Sequence, residues 1–338
     1  MKIVKSYSEL PKDVQDKMNK GNVFYTNEFY NYSLKTGSKI WFLFDENYRI
    51  PINMVEKIKI KYGICNTEPL YINEKIVVNQ EKIFLNEAMK CLKKNGVAWI
   101  ISSSSALFNV YPDNSLRIPF GSHIIELDNP EQELLMKMNS KHRNSIRRAE
   151  KNDVIVISGG KNLINDYIKI DSATWARNNK QSYGFEYFEN IINELAEKAI
   201  LYIAYKNGKP QSGACYYYNE QMCYYMYGAS IDRPEPGATN LLQWEAIKDM
   251  KRKGVKKFSF VGCRINEDPD SKYHGIQRFK ERFGGNLVQG YMFKSILNVT
   301  QYQLFKQLYK IKNGKVLLDP IEQEIHKWPE LQENKTLE

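Results

Sequence analysis

The chain has 338 residues, which exceeds the size of one ordinary hydrophobic core and predicts two domains. Hydrophobic residues make up 42% and charged residues 26% of the chain, a composition that excludes intrinsic disorder and indicates a globular protein. The net charge of +10 fits nucleic acid, anionic lipid or phosphorylated metabolites as partners, and it fits plain solubility equally well.

The sequence argues against three classes for this protein: membrane-spanning, secreted and metal-dependent proteins. Apolar runs such as "VAWII" at 97–101 are far shorter than the roughly 20 residues of a membrane span. The start "MKIVKSYSELPKDVQDK" is too polar for a secretory signal, so we expect the protein in the cytoplasm. The five cysteines and four histidines lack metal-binding spacing, which predicts reduced thiols and no metal site.

A repeated segment predicts the architecture. Residues 87–97 read "EAMKCLKKNGV" and residues 245–255 read "EAIKDMKRKGV", about one domain length apart. In each copy, apolar residues recur at helical spacing, Gly96 or Gly254 supplies a left-handed helix cap, and a β-rich run follows. The order helix, glycine, strand therefore occurs twice and indicates a duplicated α/β domain. After the first copy, "SSSS" at 102–105 is typical of a polar strand end at a cleft.

The middle of the chain carries a strongly basic segment. The apolar spacing over 130–151 predicts one helix with a broken apolar face, capped by Asn129. From residue 136 onward this helix has six basic residues and one acidic residue. Like charges at this spacing repel each other unless an anion lies between them. We therefore predict that Arg143, Arg147 and Arg148 bind an anion, and the alternative is the solvated back of a helix.

The second half predicts a mixed sheet. Asn207-Gly208 marks a type I′ hairpin, "YNEQ" at 218–221 marks a second turn, and a helix over 239–253 precedes a strand over 256–261. This β-α-β ending is typical of acyl-CoA-dependent N-acetyltransferases, whose loop before the central helix binds pyrophosphate through backbone N–H groups. Here that loop reads "RPEPGA", and Pro236 has no N–H to donate, so the coenzyme A signature fails.

The segment "GIQRFKERFGG" at 275–285 is predicted to be a helix that is opened and closed by glycines. Ile276, Phe279 and Phe283 fall at i, i+3 and i+7 and form one apolar stripe. Such a stripe would anchor the segment, and it would hold Lys280 in a fixed place rather than free in solvent.

These features together resemble the FemABX aminoacyltransferases. The resemblance lies in "IRRAEKNDVIV", "YMYGAS" (225–230), "LLQWEAIKDMKRKGVKKFSFVG" and "GIQRFKERFGG", in this order, and more weakly in "YNYSLKTG" near the N-terminus. It implies an α/β (α+β) fold of two tandem N-acetyltransferase (GNAT)-like domains, with mixed sheets flanked by helices. The domains would span 1–150, completed by 298–338, and 151–297. Between Phe188 and Gly208 there is no room for the long coiled-coil arm that some members carry, so the chain resembles the compact, armless type.

The resemblance also implies a function. It implies an aminoacyltransferase that moves an amino acid from aminoacyl-tRNA to an amine of a peptidoglycan precursor. The precursor would be a UDP-linked or lipid-linked muropeptide, and the reaction would need no metal or cofactor. The implied catalytic pair is Phe279 and Lys280, and the implied substrate-binding residues are Lys35, Tyr187, Tyr225 and Tyr227. Arg278 joins the basic residues that we expect to bind tRNA or another anion. Tyr183 stands where the family commonly has an arginine that contacts the diphosphate, which argues against a UDP-linked acceptor.

Two other functions remain open at this point. The same fold could use a thioester donor to acylate an amino sugar of a surface polysaccharide. Alternatively, the chain could be a non-catalytic basic module that binds nucleic acid or a membrane surface. Peripheral contact with the inner face of a membrane is also compatible with the aminoacyltransferase function, since one candidate acceptor is lipid-linked.

Overall fold

A computed structural model describes residues 1–72, 78–265, 270–314, 316 and 318–331 of the chain. The strands within these ranges are β1 (Lys2–Val4), β2 (Lys39–Phe44), β3 (Tyr48–Lys57), β4 (Ile60–Cys65), β5 (Leu70–Tyr71), β6 (Val97–Ser102), β7 (Leu116–Glu126), β8 (Ile155–Gly159), β9 (Ala199–Lys206), β10 (Lys209–Tyr218), β11 (Met222–Ser230), β12 (Lys257–Ser259), β13 (Cys263–Arg264) and β14 (Asn286–Ile296).

Eleven α-helices lie within the same ranges. They are α1 (Lys12–Asn19), α2 (Asn27–Lys35), α3 (Val78–Lys94), α4 (Glu131–Lys137), α5 (Ser140–Lys151), α6 (Ile164–Ala176), α7 (Phe185–Leu195), α8 (Ala238–Arg252), α9 (Lys272–Glu281), α10 (Val299–Asn313) and α11 (Pro320–Glu324). None of the helices in these ranges combines the length and the apolar character that crossing a bilayer requires.

One mixed sheet runs through both halves of the chain, in the order β1-β2-β3-β4-β6-β14-β7-β12-β11-β10-β9-β8. Strand β14 comes late in the chain but inserts between β6 and β7, antiparallel to both. The sheet is therefore continuous from the N-terminal half to the C-terminal half. The division into 1–150 with 298–338 and 151–297 stays a prediction.

The repeated segment forms the same unit twice, as the sequence predicts. Strands β4 and β6 are parallel and α3 connects them, and strands β11 and β12 are parallel and α8 connects them. Gly96 and Gly254 end the two helices with φ angles of 75° and 78°. The mixed α/β architecture is thus confirmed. The hairpin at Asn207-Gly208 is also confirmed, since both residues have positive φ between β9 and β10.

Two large hydrophobic clusters cover the faces of the C-terminal half of the sheet. One packs α6 and α7 together with the N-terminal helices, so that Phe24 meets Tyr224 with ring centroids 5.0 Å apart. The other packs α5 and α8, with Ile146 and Ile247 fully buried within it. The N-terminal helices are therefore held on the C-terminal part of the sheet, on the face opposite α5 and α8.

The predicted helix over 130–151 is wrong in one respect, because it is two helices. Helix α4 ends before Met138, which is extended and buried, and α5 begins after Asn139. The Asn139 side chain caps α5 by accepting from the Lys141 N–H, while its own N–H donates to the Arg282 carbonyl at 2.9 Å. Asn129, the predicted cap, instead donates to the Glu126 carbonyl. The helix that local spacing favours is therefore interrupted where Asn139 bonds to Arg282, the residue that follows α9.

Candidate active site

A cleft of about 670 Å³ opens where strands β11 and β12 diverge. The two strands pair only over Met222–Tyr224 and Lys257–Ser259. Beyond this pairing β11 has a bulge, because Cys215 and Tyr216 of β10 pair with Tyr227 and Tyr225 and leave Met226 between them. The cleft is lined by side chains from β11, from the chain after β12, and from α9. Its lining includes Ser104, Tyr225, Met226, Gly228, Val261, Gly262, Arg264, Tyr273, Ile276, Phe279, Lys280 and Pro320.

Lys280 lies in the wall of this cleft and is buried, with 9% of its surface exposed. Its Nζ donates to the carbonyl oxygens of Val261 and of Gly262, the latter at 2.9 Å. Burial lowers the pKa of the Lys280 ammonium from 10.5 to about 8, and the nearby Cys263 opposes this shift. A lysine with this pKa can gain or lose a proton near neutral pH, as proton transfer in catalysis requires.

A second bulge supplies the two carbonyls that hold Lys280. Strands β12 and β13 both pair with β7, and three residues between them oppose only two residues of β7. Val261 and Gly262 in this bulge have φ angles of 36° and 54°, and a β-branched residue rarely adopts a positive φ. We name Val261 and Gly262 the carbonyl bulge. The backbone strain lies at Val261, because glycine adopts a positive φ without a steric penalty.

Serine side chains stabilise the carbonyl bulge. The Ser259 hydroxyl accepts from the Val261 N–H at 3.2 Å and lies 2.8 Å from the Ser122 hydroxyl of β7. The Gly262 N–H donates to the Ser104 carbonyl at 3.1 Å. Ser104 belongs to the "SSSS" segment, which the sequence places at a cleft. The strained turn is therefore held from both sides, and its carbonyls stay directed at Lys280.

Helix α9 is positioned by a buried histidine. The His142 Nε2–H donates to the Phe279 carbonyl at 3.0 Å, and the imidazole packs edge-on against Phe283 with centroids 4.6 Å apart. Burial lowers the pKa of His142, which favours the neutral ring. The basic helix α5 is therefore fixed to the segment that carries Lys280.

The predicted helix over "GIQRFKERFGG" is confirmed up to Glu281, so Phe283 and the closing glycines lie beyond its end, and two further corrections apply. It begins at Lys272, where Ser271 caps it by accepting from the His274 N–H, so Gly275 lies inside the helix rather than opening it. Phe283 is buried as predicted, but Ile276 is 41% exposed at the cleft and Phe279 is half-buried. The buried Phe283 and the hydrogen bonds of Lys280 therefore anchor this segment. Of the predicted apolar stripe, only the C-terminal residue is fully buried.

The predicted tyrosines lie on opposite sides of the sheet, Tyr225 in one hydrophobic cluster and Tyr187 and Tyr227 in the other. Tyr225 lines the cleft and stacks on Tyr216 with centroids 5.5 Å apart, and burial raises its pKa to about 12. A Cβ atom at Gly228 would overlap the Tyr225 hydroxyl, so the glycine makes room for that group. Tyr187 and Tyr227 instead join hydroxyl to hydroxyl at 2.6 Å within the aromatic cluster of α7.

The remaining predicted residues lie outside the cleft lining. Lys35 is exposed in the last turn of α2. Arg143 donates to the Met136 carbonyl at 3.0 Å and to the Met138 carbonyl, so it satisfies the C-terminal end of α4. Arg147 and Arg148 are exposed on α5. Arg278 is exposed and lines a separate depression of about 400 Å³ with Lys137, Asn139, Glu281 and Arg282.

The loop before α8, which binds pyrophosphate in coenzyme A enzymes, is closed by protein groups. Gly237 has a φ of 88°, and a Cβ atom there would overlap the Ser145 carbonyl of α5. The Glu235 N–H donates to Gln211 at 3.0 Å, and the Glu235 carboxylate accepts from Asn152 at 2.7 Å. Helix α5 therefore fills the space beside the loop, and the residues present do not fit a coenzyme A pyrophosphate.

Sequence reasoning missed several residues of the site. Ser122 and Ser259 are single serines in strands, and His142 lies among arginines, so no spacing marks them. Arg264 lies 3.7 Å from the Tyr273 ring and donates to Glu324 and to Gln323, which joins α11 to the cleft wall. The two serines become recognisable only in the structure, where they support the carbonyl bulge that binds Lys280.

Comparison with known proteins gives related sequences and folds. The family described as "Acetyltransferase (GNAT) domain" matches residues 136–281, a range that runs from the last residues of α4 to the end of α9. The lipid II:glycine glycyltransferase of Staphylococcus haemolyticus (strain JCSC1435) is 33% identical over 122 residues. That match covers 36% of this chain and 29% of the relative, so the chain matches less than a third of that protein's length.

Solved structures match over most of the chain. The crystal structure of FemX superposes with a TM-score of 0.66 at 15% identity, over 90% of this chain and 99% of that one. A tandem GNAT protein from the clavulanic acid biosynthesis pathway superposes with a TM-score of 0.51 at 9% identity, over 88% of this chain and 98% of that one. At these identities the structural matches show the fold. Taken with the glycyltransferase relative, they confirm the predicted tandem GNAT fold and the predicted resemblance of this chain to the FemABX family.

Proposed function

We propose that the protein is an acyltransferase that moves an amino acid from an aminoacyl-tRNA to an amine of a peptidoglycan precursor. The observation that carries this proposal is the buried Lys280 ammonium in the cleft wall, held by the carbonyl bulge. The relative from Staphylococcus haemolyticus is named a lipid II:glycine glycyltransferase, which supports amide formation on a cell-wall precursor.

The chemistry requires a positioned amine and a cation near the developing oxyanion, because an aminoacyl ester is already activated. A lysine ammonium has three N–H donors, and the carbonyl bulge binds two of them. In our proposal the third donor meets the ester carbonyl oxygen as the amine attacks and the C–N bond forms. When the ester C–O bond breaks, Lys280 gives a proton to the ribose oxygen, and the proton that the amine loses restores it.

Other predicted residues have supporting roles in this proposal. Phe279 flanks the lysine in the cleft lining, and Tyr225 offers a neutral hydroxyl there because its pKa is about 12. Tyr187, Tyr227 and Lys35 stay predicted substrate contacts on the α7 and α2 side.

A tRNA donor is supported by the closed loop before α8 and by the basic surfaces. Helix α5 fills the space that a coenzyme A pyrophosphate would need, which disfavours the alternative of a coenzyme A thioester. Arg147 and Arg148 on α5 and Arg278 on α9 are exposed and available to phosphates. We expect tRNA binding to weaken steeply with salt, because phosphate contacts release counterions.

A lipid-linked acceptor is preferred over a UDP-linked one. Tyr183 replaces the arginine that the family resemblance implies for diphosphate contact, and it stacks on Tyr187 with ring centroids 4.5 Å apart. The name of the glycyltransferase relative also specifies a lipid-linked acceptor. The reaction would then occur at the inner face of the membrane.

The test is transfer of a radiolabelled amino acid from a pool of aminoacyl-tRNAs to lipid-linked or UDP-linked muropeptides. We expect label in the muropeptide, and a loss of about 100-fold or more in Lys280→Met. Lys251→Met is the matched control, because the Lys251 Nζ also donates to a backbone carbonyl, that of Leu127 at 2.8 Å, but outside the cleft lining. Transfer to no acceptor from any aminoacyl-tRNA, or label from acyl-CoA instead, would reject the proposal.

A further inference from the structure

We propose that the outer face of α10 and the β3–β4 hairpin together bind an anionic lipid bilayer. The surface comprises four aliphatic residues and four lysines, and we name it the docking face: Ile58, Leu304, Leu308, Ile311, Lys57, Lys59, Lys310 and Lys312. The inference rests on the proposed lipid-linked acceptor and adds the surface by which the protein reaches it.

Helix α10 has two apolar stripes, and the core uses only one of them. Tyr302 and Phe305 are buried against Ile60 and Trp99 of the sheet. Leu304, Leu308 and Ile311 follow the spacing i, i+4 and i+7 on another face. Leu304 is 46% exposed and Ile311 is 80% exposed, so this stripe points into solvent. An exposed aliphatic stripe beside a helix that is already packed marks a surface for an apolar partner.

The β3–β4 hairpin places a strained isoleucine beside this stripe. Ile58 and Lys59 have φ angles of 55° and 60°, at turn positions that favour Asn-Gly. A β-branched side chain is unfavourable at such φ angles, yet Ile58 is 63% exposed and has no core to fill. It lines a groove of about 460 Å³ with Phe305, Leu308 and Tyr309 of α10. The hairpin and the helix therefore form one continuous apolar surface.

Lysines surround this apolar surface. Lys57 and Lys59 flank Ile58, and Lys310 and Lys312 flank Ile311 along the chain. In the ranges that the structure describes, none of these four lysines forms an ion pair, and residues 282–318 of the sequence contain no acidic residue. Aliphatic side chains flanked by lysines, two of which also line the groove, fit the boundary between acyl chains and anionic headgroups. RNA binding instead favours arginines and exposed aromatic rings that stack on bases.

The docking face is connected to the cleft through α11. The Tyr302 hydroxyl, on the buried side of α10, donates to the Glu322 carboxylate of α11 at 2.8 Å. Pro320, the first residue of α11, lines the cleft. A bilayer bound to α10 would thus lie one helix away from the cleft, near a lipid-linked acceptor.

The test is co-sedimentation with vesicles of phosphatidylglycerol and phosphatidylcholine, and with vesicles of phosphatidylcholine alone. We expect binding to the anionic vesicles that weakens with salt, and a loss of about tenfold or more in the double variant Leu304→Asp, Ile311→Asp. The matched control is Ile83→Asp on α3, since Ile83 is also 63% exposed and is distant from α10 in the chain. Absence of vesicle binding by the unaltered protein, or an equal loss in the Ile83 variant, would overturn the inference.

Two further measurements separate this inference from the proposed function. The double variant should keep its transfer rate to a soluble UDP-linked acceptor, or to lipid-linked acceptor in detergent, and lose rate only with acceptor in vesicles. If the variant instead loses tRNA binding in a filter assay and keeps vesicle binding, the docking face is a nucleic-acid surface and the inference is wrong. Vesicle binding without transfer to any acceptor would support the docking face and reject the transferase function.

Discussion

Lys280→Met should separate the cost of burying a charge from the catalytic role of that charge. The lysine is 9% exposed, and its pKa is lowered from 10.5 to about 8 because burial disfavours the ammonium. In the unfolded chain the side chain binds its proton up to pH 10.5, so between pH 8 and 10.5 the unfolded state holds more protons than the folded state. Stability from this group therefore rises with pH over that window.

The magnitude follows from the shift. Keeping Lys280 charged at pH 7 costs the folded state about 3 kcal/mol, and at pH 10 the lysine is largely neutral in the folded protein. The stability of the unaltered protein relative to Lys280→Met should therefore rise by roughly 2–3 kcal/mol from pH 7 to pH 10. At pH 7 the variant also leaves the two carbonyls of the bulge without a donor, at about 1–3 kcal/mol each, which offsets the relief of the buried charge.

The assay is urea unfolding of both proteins at pH 7 and pH 10, followed by tryptophan fluorescence. Taking the difference between the two proteins at each pH cancels the titration of every other group that the substitution leaves unchanged. Transfer activity at pH 7 should fall by orders of magnitude while the variant stays folded. A stability difference that does not change with pH would show that Lys280 is not a buried cation, and a change in activity below about threefold would remove it from catalysis.

Three further substitutions test the carbonyl bulge, the Tyr225 hydroxyl and the loop before α8. Ser259→Ala removes the acceptor of the Val261 N–H. We expect a lower kcat with KM little changed, and thermal unfolding should show a stability loss of about 1–2 kcal/mol. An unchanged kcat would contradict the positioning role of Ser259. In Gly228→Ala the new Cβ atom would overlap the Tyr225 hydroxyl, so the KM for the acceptor should rise at least severalfold. If the variant keeps the KM of the unaltered protein, the Tyr225 hydroxyl is not needed at that position. Gly237→Ala places a side chain at a positive φ, where its Cβ atom would overlap the backbone of α5. The substitution should destabilise the fold by more than about 1 kcal/mol. No change in the free energy of unfolding in urea would mean that α5 does not close this loop.

Much of the fold follows from local sequence. The repeated helix, glycine and strand become two parallel β-α-β units, because helical spacing and the left-handed caps at Gly96 and Gly254 act over a few residues. The helix over 130–151 shows the limit of such reasoning. Asn139 is bonded to Arg282, far along the chain, and no pattern within one helix can indicate that bond.

The candidate site divides in the same way. Helical spacing places Phe283 in the core and Lys280 beside it, and the proline-containing loop before α8 argues against coenzyme A from the sequence alone. The depth of burial of Lys280 and the positive φ of Val261 depend on how β12 and β13 pair with β7, which periodicity does not contain.

The sequence by itself determined the repeated unit, the order of hairpin, helix and strand in the second half, the basic balance and the helix that carries Lys280, because each depends on neighbouring residues or on composition. Only the tertiary structure decided that β14 inserts between β6 and β7, that β11 and β12 diverge into a cleft, and that the two carbonyls of the bulge hold the lysine. These features arise where segments distant in sequence meet. Their energies depend on burial and on hydrogen-bond geometry, which the chain acquires only when it folds.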